Sequence, residues 1–229
     1  MDFTGRHIVV TGGTGALGRA VVGTLIESGA HCHVSYLVEA EAQSFPHKQN
    51  VTLHAVNDLA DEATVGKLYA AVPKLWASIH LAGGFAANRV ADTAKAELMQ
   101  QLETNFIACF LCCREAVKVM GKNGGRIVNV AARPALEWRS GSGMVAYASS
   151  KAAVAAMTAA LAEEVVKDGI LVNAVAPSTM DTPANRKAMP KADYSKWATV
   201  GEVAATVAFL ASPQNGVTRG GLVPVYGKA

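Results

Sequence analysis

The sequence predicts an α/β protein whose mostly parallel sheet is covered by helices on both faces. Short runs rich in β-branched residues alternate along the chain with apolar segments of helical period. A glycine-rich turn joins the first of these runs to the first apolar segment. The chain has 229 residues, of which 51% are hydrophobic, and this suits a single domain spanning residues 1–229.

Each strand is expected where a short apolar run ends at a turn, and each helix where the apolar period is close to 3.6 residues. The first strand contains Ile8-Val9-Val10, and Gly29 ends the first helix. The expected strands, seven in number, are residues 6–11, 31–36, 51–56, 76–82, 126–130, 170–176 and 221–226. The expected helices are residues 17–28, 61–72, 94–120, 144–167 and 200–211. This alternation requires parallel strands joined by helical crossovers.

Residues 178–199 interrupt the alternation. Pro177 stops the sixth strand, and the segment that follows contains Pro183 and Pro190 without a sustained period. Its length predicts a mobile loop with helical pieces, placed to close over a substrate as a lid.

The composition favours a protein that acts on a small molecule. The net charge of +3 and the pI of about 8.7 are mild, and no dense Lys/Arg cluster suggests a nucleic-acid or membrane partner. Neither a secretion signal nor an apolar stretch long enough to span a bilayer is expected. The cysteines Cys32, Cys109, Cys112 and Cys113 lack paired CxxC or Cys/His ligand spacing, so no metal site is expected and a reducing cytoplasm fits best.

The glycine turn predicts a dinucleotide site. Gly12, Gly15 and Gly18 follow a strand and open a helix, where they allow a tight turn, close approach to a pyrophosphate and close helix-to-strand packing. The helix N-terminus favours the anion. An ordinary turn between a strand and a helix is the alternative. The expected cofactor contacts of this turn are Gly12, Thr14, Gly15, Ala16, Leu17 and Gly18.

Two further strand ends are candidate cofactor contacts. Asp58, followed by Leu59, ends the third strand and can accept a hydrogen bond from an adenine amine, although a solvated loop carboxylate is the alternative. Ala82, Gly83 and Gly84 end the fourth strand, where small residues allow the backbone to approach a ribose; a plain turn is the alternative.

The choice between NAD and NADP stays open at this point. An acidic residue at the end of the second strand would bind the ribose hydroxyls of NAD and repel the extra phosphate of NADP. The strand ends with Leu37 near that position, and the first carboxylate, Glu39, comes late. Neither His33 nor Arg19 is a strong enough signal to decide between NAD and NADP.

Tyr147 and Lys151 form a candidate acid/base pair. Residues four apart stack on one face of a helix, so an ammonium can stand beside the phenol oxygen. A neighbouring cation lowers the pKa of a tyrosine toward the working pH of a general acid or base. A solvated helix edge is the alternative reading of this spacing.

With the glycine turn, Asn105, Tyr147 and Lys151 in this order, the chain resembles the short-chain dehydrogenase/reductase family. The resemblance covers the whole chain and implies a Rossmann-type, doubly wound sheet that binds NAD or NADP. It further implies that Tyr147 donates or accepts the proton and that Lys151 lowers its pKa and binds the nicotinamide ribose. Asn105 would hold a water-linked proton path, or else it is a satisfied polar residue that kinks a packed helix. Pro177 and Thr182 match residues near the nicotinamide.

The family usually has a serine after its fifth strand, which orients a substrate carbonyl. This chain has Asn129-Val130-Ala131-Ala132 there instead. Ser140 and Ser142 lie closer to Tyr147 in sequence and are candidate replacements, although their glycine neighbours indicate a turn. Loss of one such donor costs roughly 2 to 4 kcal/mol in barrier height.

A narrower resemblance, to the dihydropteridine reductase group, addresses this gap. It rests on the glycine turn, on residues 82–84 and 143–147, and above all on residues 181–197. The resemblance implies a quinonoid dihydropteridine substrate, which needs hydride and a proton more than carbonyl activation. Leu37 and the segment 38–60 depart from that group.

The leading hypothesis is therefore an NAD(P)H-dependent oxidoreductase in which Tyr147 donates the proton. A general carbonyl or alcohol oxidoreductase that uses Ser140 or Ser142 is one alternative, and a non-catalytic dinucleotide-sensing protein is the other. Relatives pair two long helices, here residues 94–120 and 144–167, across a two-fold axis. The resemblance thus implies a homodimer or homotetramer.

Overall fold

A computed structural model describes residues 1–228 and confirms the α/β class. Within them, seven parallel strands form one sheet in the order β3-β2-β1-β4-β5-β6-β9. The strands are β1 (His7–Thr11), β2 (His31–Tyr36), β3 (Val51–Ala55), β4 (Leu75–His80), β5 (Gly125–Val130), β6 (Ile170–Pro177) and β9 (Leu222–Val225). The seven strands expected from the sequence are thus present, with boundaries that differ by at most two residues.

Helices cover both faces of the sheet. They are α1 (Ala16–Glu27), α2 (Glu39–Gln43), α3 (Glu62–Ala70), α4 (Lys95–Leu102), α5 (Ala108–Met120), α6 (Arg133–Leu136), α7 (Val145–Glu164), α8 (Pro183–Ala188) and α9 (Val200–Ala211). Ile8 and Val10 pack in one core cluster with α1 and α9, whereas Val9 packs in the other with α3, α5 and α7. This division follows from the alternation of side chains along a strand.

The strand order reverses at the centre of the sheet. β1 pairs with β2 on one side and with β4 on the other, and all of these pairings are parallel. The connections after β1 and β4 therefore leave the sheet in opposite directions and open a crevice at the carboxyl ends of the strands. Ligands of open α/β sheets bind at such a point, and the glycine turn after β1 lies there.

The helix expected over residues 94–120 is interrupted. α4 ends at Leu102, a π-helical turn spans Glu103–Ile107, and α5 continues from Ala108. The extra residue in the turn carries Asn105 toward the loop that follows β4, where its side chain binds the backbone of Gly84. Single π turns of this kind often mark functional sites.

Residues 178–199 contain more structure than the sequence indicated. Two short strands, β7 (Met180–Asp181) and β8 (Ala198–Thr199), pair in parallel and hold the two ends of the segment together. Between them lies α8, and Arg186 forms a bidentate ion pair with Asp181 at 2.6 and 2.7 Å.

α7 is long and apolar enough to cross a membrane by length and composition alone, a test that the core helix of a soluble protein also passes. It packs against β6, α6 and α4, as the core helix of a folded domain does. Only 33% of its apolar window is buried within the chain, so much of its surface is open to another molecule.

Candidate active site

The glycine turn is built from two kinds of glycine. Gly12 has a φ of +65°, and a Cβ atom there would lie 2.7 Å from the amide nitrogen of Ala82. A Cβ atom at Gly18 would overlap the backbone of Gly12 and Gly13. Gly15 differs, because the nearest atom to its Cβ would be the Gly12 carbonyl oxygen at an ordinary 3.5 Å. The fold therefore requires glycine at positions 12 and 18, while Gly15 leaves room on the side that faces the crevice.

The N-terminus of α1 is open for an anion. Its N-cap is Gly15, and within residues 1–228 no side chain caps the first turn. The first amide groups of a helix have no partner inside the helix, and the helix dipole adds positive potential there. Ala16, Leu17 and Gly18 supply these amides.

A cavity of about 360 Å³ adjoins the glycine turn. The residues predicted to bind cofactor that line it are Gly12, Thr14, Gly15, Asp58, Leu59, Ala82 and Gly83. Leu37, which stands near the expected cofactor-selecting position, lines it as well. Four strand ends thus meet here, those of β1, β2, β3 and β4. The cavity is also lined by residues that the sequence did not indicate: Ser35, Tyr36, Glu41, Val56, Asn57, Leu81, Thr104 and Ala108.

Glu41 is the most informative of the residues that sequence reasoning missed. The Thr14 hydroxyl donates a hydrogen bond of 2.6 Å to Glu41 Oε2, so a carboxylate stands directly at the glycine turn. Arg19 holds α2 in place through the Glu41 carbonyl and the Ser44 hydroxyl. The acidic first turn of α2, with Glu39 and Glu41 after an extended Val38, was the available signal.

Ser35 lines the same cavity and carries an unpaired hydroxyl. Its Oγ is buried and has no hydrogen-bond partner within residues 1–228. Buried polar groups are nearly always paired, and an exception asks for a ligand or water. Ser35 therefore marks a polar contact that a bound molecule can satisfy.

Asn105 fixes the loop after β4. Its Oδ1 accepts a hydrogen bond from the Gly84 amide and its Nδ2 donates to the Gly84 carbonyl, each at 3.0 Å. It is 1% exposed, and a Cβ atom at Gly83 would lie 2.8 Å from Asn105 Oδ1 and 3.3 Å from Lys151 Nζ. Gly83, Asn105 and Lys151 therefore meet at one point.

Tyr147 and Lys151 lie on the same face of α7, but they do not interact in the manner expected. Burial raises the pKa of Tyr147 to about 12, and the ring of Phe85 packs against it edge-on at 5.0 Å. The Lys151 ammonium donates a hydrogen bond of 2.9 Å to the Val130 carbonyl. Burial lowers the pKa of Lys151 to about 8. The expected fall of the tyrosine pKa is absent because burial of the phenol dominates.

The position after β5 offers no hydroxyl. Ala131 and Ala132 are both buried, and Ala132 is the N-cap of α6. Ser140 is exposed and donates to the Glu137 carbonyl at 2.8 Å, within a 3₁₀ turn. Ser142 lines a groove beside Val145 and Ala148. These two residues lie on a face of α7 that is turned by roughly a third of a revolution from Tyr147. The expectation that either serine replaces the missing one is not supported by these positions.

Pro177 and Thr182 frame the start of the 178–199 segment. Pro177 ends β6 in register with Val225. The Thr182 hydroxyl accepts a hydrogen bond of 3.2 Å from the Asn185 amide and thereby caps α8. Thr182 therefore has a structural role as the N-cap of α8, in addition to the contact with the cofactor that the sequence predicts.

Comparison with known proteins identifies relatives of the whole chain. A family model described as short chain dehydrogenase matches residues 6–193. The 3-oxoacyl-(acyl-carrier-protein) reductase FabG of Rickettsia felis is 32% identical over 239 residues, covering 99% of this chain and 98% of the relative. A 3beta-hydroxysteroid dehydrogenase of Mediterraneibacter gnavus is 32% identical and covers 81% of this chain and 70% of its own length.

Solved structures show the same architecture. A short chain dehydrogenase/reductase family protein superimposes with a TM-score of 0.91 at 26% identity, covering 99% of this chain and 98% of its own. ElxO with NADP bound has a TM-score of 0.86 at 24% identity and covers 97% of each chain. At that identity the second likeness concerns the fold alone.

Proposed function

This chain belongs to the short-chain dehydrogenase/reductase family, and from that premise we propose that it reduces a small, electron-poor acceptor with hydride from NADH or NADPH and a proton from Tyr147. Membership makes it an NAD(P)-dependent oxidoreductase.

The residues at the crevice fit a dinucleotide. The uncapped first turn of α1 and the open side of Gly15 suit a pyrophosphate. The unpaired hydroxyl of Ser35 and the carboxylate of Asp58 lie in the same cavity and suit an adenosine. Ala82, Gly83 and Gly84 would lie along the ribose, with Lys151, Tyr147, Pro177 and Thr182 toward the nicotinamide.

When bound, the nicotinamide supplies the hydride, and the chain's own residues manage the proton. With its pKa raised to about 12, Tyr147 keeps its phenolic proton at neutral pH and can deliver it to a substrate that gains negative charge. Lys151 is held on the Val130 carbonyl, beside Gly83. Asn105 positions the Gly83-Gly84 backbone rather than touching the reacting atoms.

The pair Ala131-Ala132 is the observation that carries the choice of acceptor. A ketone reductase of this family polarises the carbonyl with a hydroxyl at this place, and these two residues supply none. An acceptor that is already electron-poor needs less polarisation. A quinonoid dihydropteridine has this chemistry, and the resemblance of residues 181–197 to dihydropteridine reductases points to the same class.

One observation favours a second candidate. Relatives 32% identical over nearly the full chain are named 3-oxoacyl-(acyl-carrier-protein) reductases, which supports reduction of a 3-oxoacyl thioester. The experiment is an oxidation assay with NADH and with NADPH over quinonoid dihydropteridine, 3-oxoacyl thioesters and simple ketones. Faster turnover of the dihydropteridine supports the first proposal, whereas exclusive turnover of thioesters or ketones rejects it.

Tyr147→Phe serves as the control for mechanism. The variant should lose turnover with every acceptor and keep its affinity for the dinucleotide, because the phenol oxygen is the only atom removed. A wild-type protein that binds dinucleotide but turns over no acceptor would instead indicate the non-catalytic sensor.

Glu41 favours NAD over NADP. Its carboxylate accepts from Thr14 at the glycine turn, where it would accept a hydrogen bond from a ribose hydroxyl and repel a phosphate. Leu37, which stands near the usual acidic position, is 69% exposed and offers no charge. We therefore propose NADH as the preferred cofactor.

We also propose that two copies associate through α5 and α7 as a homodimer, or as a homotetramer built from such dimers. Phe110 and Val145 are each 45% exposed on these helices, and most of α7 is not covered within the chain. Light scattering of the purified protein should give a multiple of 23.8 kDa, and Phe110→Glu should reduce it. The buried, unpaired cysteines suit the reducing cytoplasm proposed as its location.

We further propose that residues 178–199 close over the acceptor within a single domain of residues 1–229. The segment leaves the carboxyl end of β6, which is the edge of the sheet where the cofactor cavity lies. Its closed ends at β7 and β8 would let α8 move as a unit. Limited proteolysis within 183–196 should slow when cofactor and acceptor are both present.

A further inference from the structure

A group of histidine side chains lies on one face of the sheet, and none of them lines the cofactor cavity. Four of the six histidines stand on three neighbouring strands: His7 on β1, His31 and His33 on β2, and His54 on β3. His7 is in register with His31, and His33 with Thr52. Since side chains two residues apart share a face of a strand, these imidazoles form one surface, here called the histidine face.

The spacing of three of these rings suits a metal ion. One nitrogen from each of His7, His31 and His33 lies within 4.8 Å of the other two. His7 Nδ1 and His33 Nε2 are 3.0 Å apart. Two imidazole nitrogens at about 2.0 to 2.1 Å from one tetrahedral zinc ion stand roughly 3.3 Å from each other. Small rotations of these rings would therefore bring the three nitrogens to coordinating distance.

Neighbouring groups hold the rings by their other nitrogens. His33 Nδ1 is 3.1 Å from His54 Nε2, and His31 Nε2 is 2.9 Å from Thr52 Oγ1. Metal-binding histidines are usually oriented in this way by a hydrogen bond at the second ring nitrogen. His54 and Thr52 thus correspond to an outer shell around a three-histidine site.

The surroundings favour a borderline metal that can reach the site from solvent. His7 and His31 are partly exposed, while His33 is buried. Imidazole ligands suit zinc, nickel, copper and cobalt, whereas magnesium and calcium prefer oxygen.

We propose that His7, His31 and His33 form a binding site for a first-row transition-metal ion such as Zn²⁺, which clamps β1 to β2. His7 lies four residue steps, roughly 13 Å, before Thr11 on β1, and His33 lies two steps, roughly 7 Å, before Ser35, which lines the cofactor cavity. None of the three histidines lines that cavity, so the proposed ion is structural and takes no part in the reduction.

A competing set of donors must be separated from this one. His80, Cys109 and Cys113 also lie within 4.8 Å of one another, but all three are fully enclosed. His80 is already hydrogen-bonded to Asn129, Ser78 and Tyr69. A metal bound there would show sulfur ligands at about 2.3 Å, and one on the histidine face would show nitrogen at about 2.0 Å.

The test is calorimetric titration of tag-free, chelator-treated protein with ZnCl₂ and with NiCl₂, followed by zinc X-ray absorption. We expect one equivalent of metal with nitrogen and oxygen scatterers only. His7→Gln and His31→Gln should each weaken binding at least 100-fold, and His54→Gln roughly 10- to 100-fold. His47→Gln is the matched control, because this ring contacts Phe45 and the Arg19 carbonyl instead and should bind as the wild type does.

A thermal melt supplies an independent readout. Zinc should raise the midpoint of the wild type and of His47→Gln but not that of His7→Gln. Absence of stoichiometric binding, sulfur scatterers, or unchanged affinity in both His7→Gln and His31→Gln would each overturn the proposal. Circular dichroism and dinucleotide affinity identify a variant that is misfolded, and the other variant then decides the result.

Discussion

Replacing Ala132 with serine tests whether the missing hydroxyl limits carbonyl reduction. Ala132 ends the connection from β5 and is the N-cap of α6, with an extended backbone at φ −161° and ψ 162°. That conformation is the one a serine N-cap adopts. The new hydroxyl would therefore enter at the place where the family carries its serine, without a change of backbone.

A serine at position 132 should have two effects, one on the reaction barrier and one on the stability of the protein. A donor that stabilises a developing oxyanion contributes roughly 2 to 4 kcal/mol to the barrier, which corresponds to about 30- to 900-fold in rate. The gain in stability should be smaller. Pro134 at the second helical position has no amide hydrogen, and the Ala135 amide already bonds the Ala132 carbonyl. We expect about 0.5 kcal/mol, the low end of N-cap effects.

The assay measures kcat/KM for a simple ketone and for quinonoid dihydropteridine with the preferred cofactor. Ala132→Ser should raise the ketone value at least 30-fold and leave the dihydropteridine value nearly unchanged. Ala131→Ser is the control, because Ala131 lies in a cluster of small residues with Ala155, Ala174 and Ala176. A stable, cofactor-binding Ala132→Ser variant without any gain on ketones would refute the reasoning that the hydroxyl is limiting.

Three further results are expected. Gly15→Ala should fold normally and bind dinucleotide at least ten-fold more weakly, whereas Gly18→Ala should lose roughly 1 to 3 kcal/mol of unfolding free energy because its methyl group meets backbone; equal melting temperatures would contradict this contrast. Glu41→Gln should raise the ratio of kcat/KM for NADPH over NADH about ten-fold, and an unchanged ratio would remove Glu41 from cofactor selection. Tyr147 has a pKa of about 12 and Lys151 one of about 8, so a loss of activity as the pH rises past about 8 should come from the lysine. A Lys151→Met variant that retains residual activity should not show this loss in its pH profile. Because Lys151 loses its proton in the folded state before it does in the unfolded state, the unfolding free energy should rise with pH between about 8 and 10.5, which urea titrations can check.

The sheet was predictable because its signals are local. β-branched runs such as Ile8-Val9-Val10 and the glycine turn specify the strands and the first connection without reference to distant residues. The π turn at Glu103–Ile107 was not predictable in this way. It depends on a contact between Asn105 and the Gly84 backbone, 21 residues earlier in the chain, and helical periodicity alone extends straight through it.

The sequence analysis did not indicate Glu41 or the histidine face, because both depend on contacts between residues far apart in the chain. Glu41 reaches Thr14 across 27 residues, and α2, which carries it, is only five residues long. On the histidine face only His31 and His33 are close in sequence, and His7 meets them only through the pairing of β1 with β2. Parallel sheets bring together residues separated by a whole crossover, so a site assembled across strands is hidden from motif reading.

Burial gives Tyr147 and Lys151, the predicted acid/base pair, pKa values that their spacing did not predict. Spacing on α7 places Tyr147 and Lys151 on one face, as expected, yet both lie in low dielectric surroundings. Burial disfavours the charged form of each group, so it raises the tyrosine pKa and lowers the lysine pKa. At neutral pH Tyr147 is therefore protonated, which is the form that a general acid needs before it can donate. Together with the alanines after β5, this protonated form supports the proposed reduction of an acceptor that takes up a proton.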